Sequence, residues 1–216
     1  MTALLVILIA TAFVARSTYK LDDLATEIPD KIASRLGKLW EIAHQGMKDN
    51  KLLRAEKALL TILKIDEKNA AAYNRLGILY AKQKDFKNAI DCFEIASSIE
   101  KSPSSFHNLG LIYYETGDYG KASIAFEEAL LLDDDMAARH IAYAKVQEKL
   151  GNNKKMISEL EKSAQLEPNK ETYSLLKRAY DLHGMEEESK AISRKLNRAT
   201  KSTKPNRISR PKKVVV

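Results

Sequence analysis

AAAYNRLGILY at residues 70–80 and PSSFHNLGLIY at residues 103–113 decide the fold, because both follow the same order of residue sizes. Each stretch has an aromatic residue, then Leu-Gly three and four positions later, then Tyr. Spacings of three and four residues place bulky side chains on one face of a helix. Glycine inside a helix costs about 1 kcal/mol relative to alanine. Its recurrence at one position therefore indicates a close crossing of two helices.

The same pattern returns along most of the chain. Aligned by their turns, the units cover residues 36–69, 70–102, 103–136 and 137–169, followed by a shorter unit at 170–196. Each unit continues, after a turn, into a second helical pattern, with Asp85, Asp118 and Asn152 placed as N-caps. A short helical pair cannot bury its own apolar face, so repetition predicts stacked pairs and an extended surface.

These units resemble the tetratricopeptide repeat. The resemblance covers residues 36–196 and rests on Tyr73, Leu76, Gly77, Tyr80, Ala89, Phe93 and Ala96, with Phe106, Leu109, Gly110, Tyr113, Gly117, Ala122, Phe126 and Ala129. It implies an all-α fold, an α-solenoid of helix–turn–helix repeats wound into a right-handed superhelix. The sequence departs from the repeat at Gly46, Met156, Lys177 and Ser193. The last two indicate a polar outer cap, which a finite stack needs.

In arrays of this family the first helices line a concave face that binds ligands. By position, the resemblance assigns to that face Trp40, His44, Lys48, Asn74, Ile78, Lys82, His107, Leu111, Tyr114, Glu115, Ile141, Lys145, Glu148 and Lys149. The set mixes aromatic, aliphatic and charged side chains, which suits an extended or helical peptide. For some of these residues the alternative is a solvated surface position without a partner.

The N-terminal segment is strongly apolar. Residues 1–15 contain no charged side chain and are followed by Arg16 and Lys20. We expect an anchor helix with the repeat domain on the cytoplasmic side, because basic residues stay there. A cleaved secretory signal is an alternative, with Ala10-Thr11-Ala12 as a small-x-small site, although the basic n-region is missing. A buried helix capping the repeats is another. Residues 16–35 are predicted to be a polar linker, interrupted by Pro29.

The positive charge lies at the C-terminus. Residues 197–216 carry seven of the 36 basic residues and no acidic residue, which leaves 29 basic against 29 acidic residues elsewhere. Their composition predicts a disordered tail. Such a tail can contact anionic lipid. Because it has no aromatic residue to stack on bases, its composition argues against base-specific recognition of nucleic acid.

No constellation of residues points to catalysis, a cofactor or a metal. The sequence has no glycine-rich phosphate loop and no HExxH motif. The four histidines lie far apart, and we expect a packing role for His140. The single cysteine, Cys92, precedes the core residue Phe93 and is predicted to be an inert thiol. Asp133-Asp134-Asp135 lacks the alternating spacing of a calcium loop and is interpreted as a solvated turn.

The sequence therefore predicts a non-catalytic, membrane-anchored scaffold or adaptor that binds a protein or peptide segment in a groove. One alternative is a nucleic-acid or ribosome-associated factor that uses the basic tail. An enzyme is the other, and it would require converging titratable groups in one pocket.

Overall fold

A computed structural model describes residues 31–202, with side chains given as far as Arg198. The predicted anchor at residues 1–15 lies outside this range, as do most of the predicted linker and residues 203–216 of the predicted tail. The described residues form helices and turns and contain no strand.

Ten helices follow one another within residues 31–202. They are residues 31–48 (α1), Leu52–Ile65 (α2), Ala70–Lys82 (α3), Phe86–Ile99 (α4), Pro103–Glu115 (α5), Tyr119–Leu132 (α6), Ala137–Lys149 (α7), Asn153–Leu166 (α8), Lys170–Leu182 (α9) and Glu186–Ser202 (α10). We call α1–α2, α5–α6, α7–α8 and α9–α10 the first, third, fourth and fifth hairpins. The repeat spacing read from the sequence thus recurs in the helices.

The turn inside each helix pair uses the same backbone conformation. Five residues have positive φ, at equivalent positions of successive repeats: Asn50 (57°), Lys84 (61°), Gly117 (81°), Gly151 (75°) and Gly184 (68°). Glycine and asparagine adopt this left-handed conformation readily, whereas other side chains are strained in it. Lys84 is therefore the unfavourable member of this set.

Side-chain caps start several helices. Asp85 accepts a hydrogen bond from the backbone N–H of Asn88 at 3.2 Å, and Asp118 accepts one from Lys121 at 3.1 Å, as predicted. Asn152 is also the N-cap residue of its helix, as predicted, but its side chain makes no capping hydrogen bond, and its amide instead donates to Gln147 Oε1 at 2.8 Å. Gln147 offers that oxygen from the end of α7, immediately before the turn.

The chain divides into two compact units, residues up to Lys84 and residues from Asp85 onward. In the first unit, α1 approaches α2 closely at Gly46, where an added Cβ would lie 3.0–3.2 Å from atoms of Ala55. This approach explains why Gly46 replaces the usual aromatic residue. Helix α3 packs on α2, and the Tyr80 hydroxyl donates to Glu56 at 3.0 Å.

In the second unit, consecutive helices from α4 to α10 pack against one another. Gly110 of α5 faces Phe126 of α6, and an added Cβ would lie 2.8–3.0 Å from the ring carbons. Tyrosine hydroxyls also join each hairpin to the helix before it. Tyr113 donates to Glu94 at 2.7 Å and Tyr180 to Glu161 at 2.7 Å, and Tyr143 donates to Glu127.

Two predicted boundaries are wrong. Residues 31–35, assigned to the linker, belong to α1, since a proline restricts the backbone of the single residue before it and is tolerated at the start of a helix. The last helix continues to Ser202, beyond the predicted end at 196, because no glycine or proline follows until Pro205. The fifth hairpin is therefore complete, with 13 residues in α9 and 17 in α10.

Candidate functional site

The first helices of the second unit, α5, α7 and α9, form one candidate binding surface. Helix α5 contacts α7, and α7 and α9 together line a cleft of about 50 Å³ with α8. We call this the α7–α9 cleft. Its floor is apolar and buried, made by Ala144, Met156, Leu160 and Ala179.

The rim of the α7–α9 cleft combines apolar and charged side chains. Ile141, Lys145 and Glu148 stand on α7, and Leu175, Arg178 and Leu182 on α9. Leu182 is 65% exposed, which leaves apolar surface open to solvent. Such a site accepts an apolar side chain on its floor while the cations bind a neighbouring carboxylate or carbonyl oxygen.

Helix α5 contributes an aromatic segment. The His107 ring packs edge-on against Phe126 at 5.5 Å between centroids, and Tyr114 packs against Tyr119 at 5.5 Å. His107 Nδ1 is buried and has no hydrogen-bond partner among the described residues. Burial lowers the pKa of His107, and the nearby charge of Arg139 lowers it further. Leu111, one turn later, is 38% exposed.

The first unit holds the other six predicted residues, on α1 and α3. Trp40 is half-buried, and the guanidinium of Arg75 lies 5.6 Å from its ring centroid, a cation–π geometry. His44, Lys48 and Lys82 are exposed, and Asn74 and Ile78 are half-buried. Trp40 therefore packs on α3 while keeping part of its surface accessible.

All fourteen predicted groove residues retain accessible surface. The structure brings Ile141, Lys145 and Glu148 together at one cleft. Whether any of the fourteen binds a partner stays a prediction. Sequence reasoning missed Arg178 and Leu182, although they occupy in the fifth repeat the positions that Lys145 and Lys149 occupy in the fourth. Extending that register by one repeat would have found them.

A buried polar cluster lies beside this surface, at the start of α7. His140 is only 4% exposed, and its Nδ1 lies 2.7 Å from a Glu159 carboxylate oxygen. Its Nε2 lies 2.8 Å from the Asp134 carbonyl oxygen. His140 is buried as expected, but polar contacts rather than apolar ones hold it there.

The three aspartates act as part of this cluster. Asp133 forms an ion pair of 3.2 Å with Arg139, whose side chain is buried, and accepts a hydrogen bond from the Asp135 N–H at 3.1 Å. These hydrogen bonds, and the charge of Arg139, hold the pKa of Asp133 below its usual value. Asp134 pairs with Lys162 of α8 at 3.4 Å. The segment is an irregular connection between α6 and α7, and its contacts are structural.

Reactive chemistry is not evident in the described part of the chain. Cys92 is buried, and burial followed by the charges of Asp91 and Asp85 raises its pKa to about 11, so the thiol stays protonated. Within residues 31–202, no three His, Cys, Asp or Glu side chains converge as metal ligands. Within the same range, no helix has the length and apolar composition needed to cross a bilayer.

Comparison with known proteins agrees with the repeat fold. A family profile described as Tetratricopeptide repeat matches residues 68–135. A crystal structure of MamA superimposes with a TM-score of 0.70 at 18% identity, over 83% of this chain and 99% of that one. MamA from Desulfovibrio magneticus RS-1 gives 0.69 at 13%, over 79% and 98%. YrrB, described as a TPR protein with an unusual peptide-binding site, gives 0.61 at 18%, over 74% and 84%.

At these identities the likeness shows the fold alone: the chain has the fold of tetratricopeptide-repeat proteins. No functionally curated protein matches it.

Proposed function

We propose that the protein is a non-catalytic scaffold that binds a peptide segment of another protein along α5, α7 and α9. The observation that carries the proposal is the α7–α9 cleft, where Lys145 and Arg178 flank an apolar floor. Proteins of this fold bind protein or peptide partners, and the solved structure of YrrB is described as having a peptide-binding site.

The cleft favours a particular kind of peptide. A volume of about 50 Å³ holds a small part of an apolar side chain and not a drug-sized ligand. Leu111 and Tyr114 provide further apolar surface on α5, so contacts extend beyond the cleft itself. We propose a ligand with an apolar residue at the cleft and an acidic residue beside it, since two cations face one acid, Glu148, at the rim.

Binding by the full-length protein in detergent tests this function. Peptides selected from a random display library are labelled, and their affinity is measured by fluorescence anisotropy. Lys145→Glu and Arg178→Glu each reverse one rim charge, and we expect each to weaken binding by roughly tenfold, equivalent to about 1.4 kcal/mol. Lys154→Glu, which makes the same change at an exposed site on α8 outside the cleft, is the control. Equal affinities for all three variants would rule out the cleft.

We further propose that residues 1–15 tether this scaffold to a membrane, with the repeats on the cytoplasmic side. The support is the mainly apolar composition of that segment, which has no charged side chain, and the basic residues Arg16 and Lys20 that follow it. We expect the full-length protein to stay in the membrane pellet after alkaline carbonate extraction and a variant lacking residues 1–15 to be released. Release of both would contradict the tether.

A further inference from the structure

The first hairpin has an open groove on its surface, which we call the first-hairpin groove. It has a volume of about 660 Å³ and is lined by Leu39 and Ile42 of α1 and by Leu53, Arg54 and Lys57 of α2, among others. Leu53, the second residue of α2, is 64% exposed although it is a large apolar residue. An apolar groove of this size at the surface indicates a binding partner.

The third hairpin has a cleft equivalent to the first-hairpin groove, and it shows which helix lies beside such a cleft in another repeat. Its cleft is lined by Phe106, Leu109, Lys121, Ile124, Ala125 and Glu128, each 67 positions after a residue of the first-hairpin groove. The equivalent cleft is smaller, about 210 Å³. Tyr113, which also lines it, donates its hydroxyl to Glu94 of α4 at 2.7 Å.

Helix α4 is the second helix of the preceding repeat and packs against α5. Beside the third hairpin, therefore, a preceding helix lies next to the cleft. Among the described residues, no helix precedes α1. The first-hairpin groove is the corresponding surface without that neighbour.

We propose that residues 21–28 of the same chain, LDDLATEI, bind in the first-hairpin groove. Leu21, Leu24 and Ile28 are spaced by three and four residues, the spacing that allows apolar side chains to contact one surface together. The segment also carries Asp22, Asp23 and Glu27. These acids complement the cations of the groove, Lys51, Arg54 and Lys57.

The length of the connection agrees with this assignment. Between a second helix and the next first helix the chain uses residues 66–69, 100–102, 133–136 and 167–169, three or four residues each time. Residues 29 and 30 separate the proposed segment from residue 31 of α1. A similarly short connection therefore leads from this segment into α1, and the segment stands in chain order where α4 stands relative to α5.

Disulfide trapping in the full-length protein tests the proposal. Leu24→Cys is combined with Leu53→Cys in the groove or, as a control, with Lys82→Cys at an exposed site on α3 outside the groove. The native Cys92 is buried, and its raised pKa of about 11 keeps it a thiol, so it stays out of the reaction. After mild oxidation, non-reducing electrophoresis and peptide mass spectrometry identify the linked positions.

We expect a disulfide within one chain between positions 24 and 53, formed at least tenfold faster than with position 82 and at a rate independent of protein concentration. Disulfide-linked dimers at position 53 would show that a second copy occupies the groove and would overturn the proposal. Equal rates at both positions would also overturn it. Circular dichroism spectra of the variants serve to check that they remain helical.

Charge reversal provides an independent readout. Asp22→Lys with Asp23→Lys replaces two acids that complement the groove cations with two bases, and should slow the 24–53 disulfide by roughly three- to tenfold. Adding Arg54→Glu and Lys57→Glu should restore the rate. A rate unchanged by the first reversal, or not recovered by the second, would contradict the proposed pairing.

Discussion

The third and fourth hairpins share helix lengths and turn geometry but have different interiors. At one pair of equivalent positions the third hairpin has Phe106 and Ala125, and the fourth has His140 and Glu159. The first pair is apolar. The second is a hydrogen-bonded pair in which both residues are more than nine-tenths buried.

This difference shows that the repeat fold requires complementary contacts and not one residue chemistry. Glu159 is also approached by Lys155 at 3.2 Å, and His140 reaches the Asp134 carbonyl, so each buried polar atom of the pair has a partner. A buried pair with both members satisfied replaces a packed apolar pair at little net cost, whereas removing one member leaves the other unpaired.

The largest expected effect comes from breaking the polar pair of the fourth hairpin. His140→Ala leaves the Glu159 carboxylate buried with only Lys155 nearby, and we expect it to lower the free energy of unfolding by about 3 kcal/mol. Urea unfolding followed by circular dichroism measures the change. The control converts the fourth hairpin to the chemistry of the third: His140→Phe with Glu159→Ala should unfold within about 1 kcal/mol of the wild type. A loss in the double variant as large as in His140→Ala would contradict this interpretation.

The second effect concerns the close helix crossing of the third hairpin. In Gly110→Ala the new methyl group meets the Phe126 ring at 2.8–3.0 Å. Overpacking typically costs 1–3 kcal/mol and exceeds the helix-propensity gain of about 1 kcal/mol, so we expect a net loss of about 1 kcal/mol. Gly120→Ala is the matched control in α6, since its Cβ would meet only an Asp118 oxygen at 3.8 Å. That variant should be as stable as the wild type or more stable. Thermal unfolding measures the stability of both variants. A Gly110→Ala variant more stable than the wild type would show that α5 and α6 do not approach closely at this position.

A third prediction compares the turns. Lys84 and Gly117 adopt the same left-handed conformation at equivalent positions. Replacing Lys84 by glycine relieves strain of about 1–2 kcal/mol but adds freedom to the unfolded chain. We expect Lys84→Gly to raise the free energy of unfolding by about 0.5 kcal/mol. Lys82→Gly, at the last residue of α3, should lower the free energy of unfolding, which the same urea titration measures. Equal destabilisation by both changes would contradict the assigned turn conformation.

The smallest effect is a change in the pH dependence of stability through His107. In the folded protein the pKa of His107 lies below its ordinary value of 6.5. Near and below pH 6.5, His107 therefore binds a proton more readily in the unfolded chain than in the folded protein. Protonation of His107 therefore destabilises the fold as the pH falls below 6.5. We expect His107→Phe to lose less stability than the wild type between pH 7.5 and pH 5.5. Urea unfolding at both values measures the difference, and an equal loss in both proteins would contradict the burial assigned to His107.

Repeat spacing made the helical fold predictable, because a periodic apolar pattern encodes the stacking of similar units. The close approach at Gly110 was also readable, since glycine stands where Phe126 must fit. The pairing of His140 with Glu159 was not, because the two lie 19 residues apart and neither breaks the helical pattern. The tyrosine–glutamate contacts between successive repeats were not predictable for the same reason. The start of α1 and the end of α10 depend on the absence of a helix-breaking residue. Such an absence is a weak sequence signal for a helix boundary.

Hydrogen–deuterium exchange on the full-length protein, with and without a selected peptide, tests the central claim most directly. We predict that the peptide slows exchange in α5, α7 and α9, most strongly around Ile141, Lys145 and Arg178, and leaves α6 and α10, which do not line the cleft, unchanged. Protection confined to the second helices, or absent from α7 and α9 at a saturating peptide concentration, would contradict the proposed binding face.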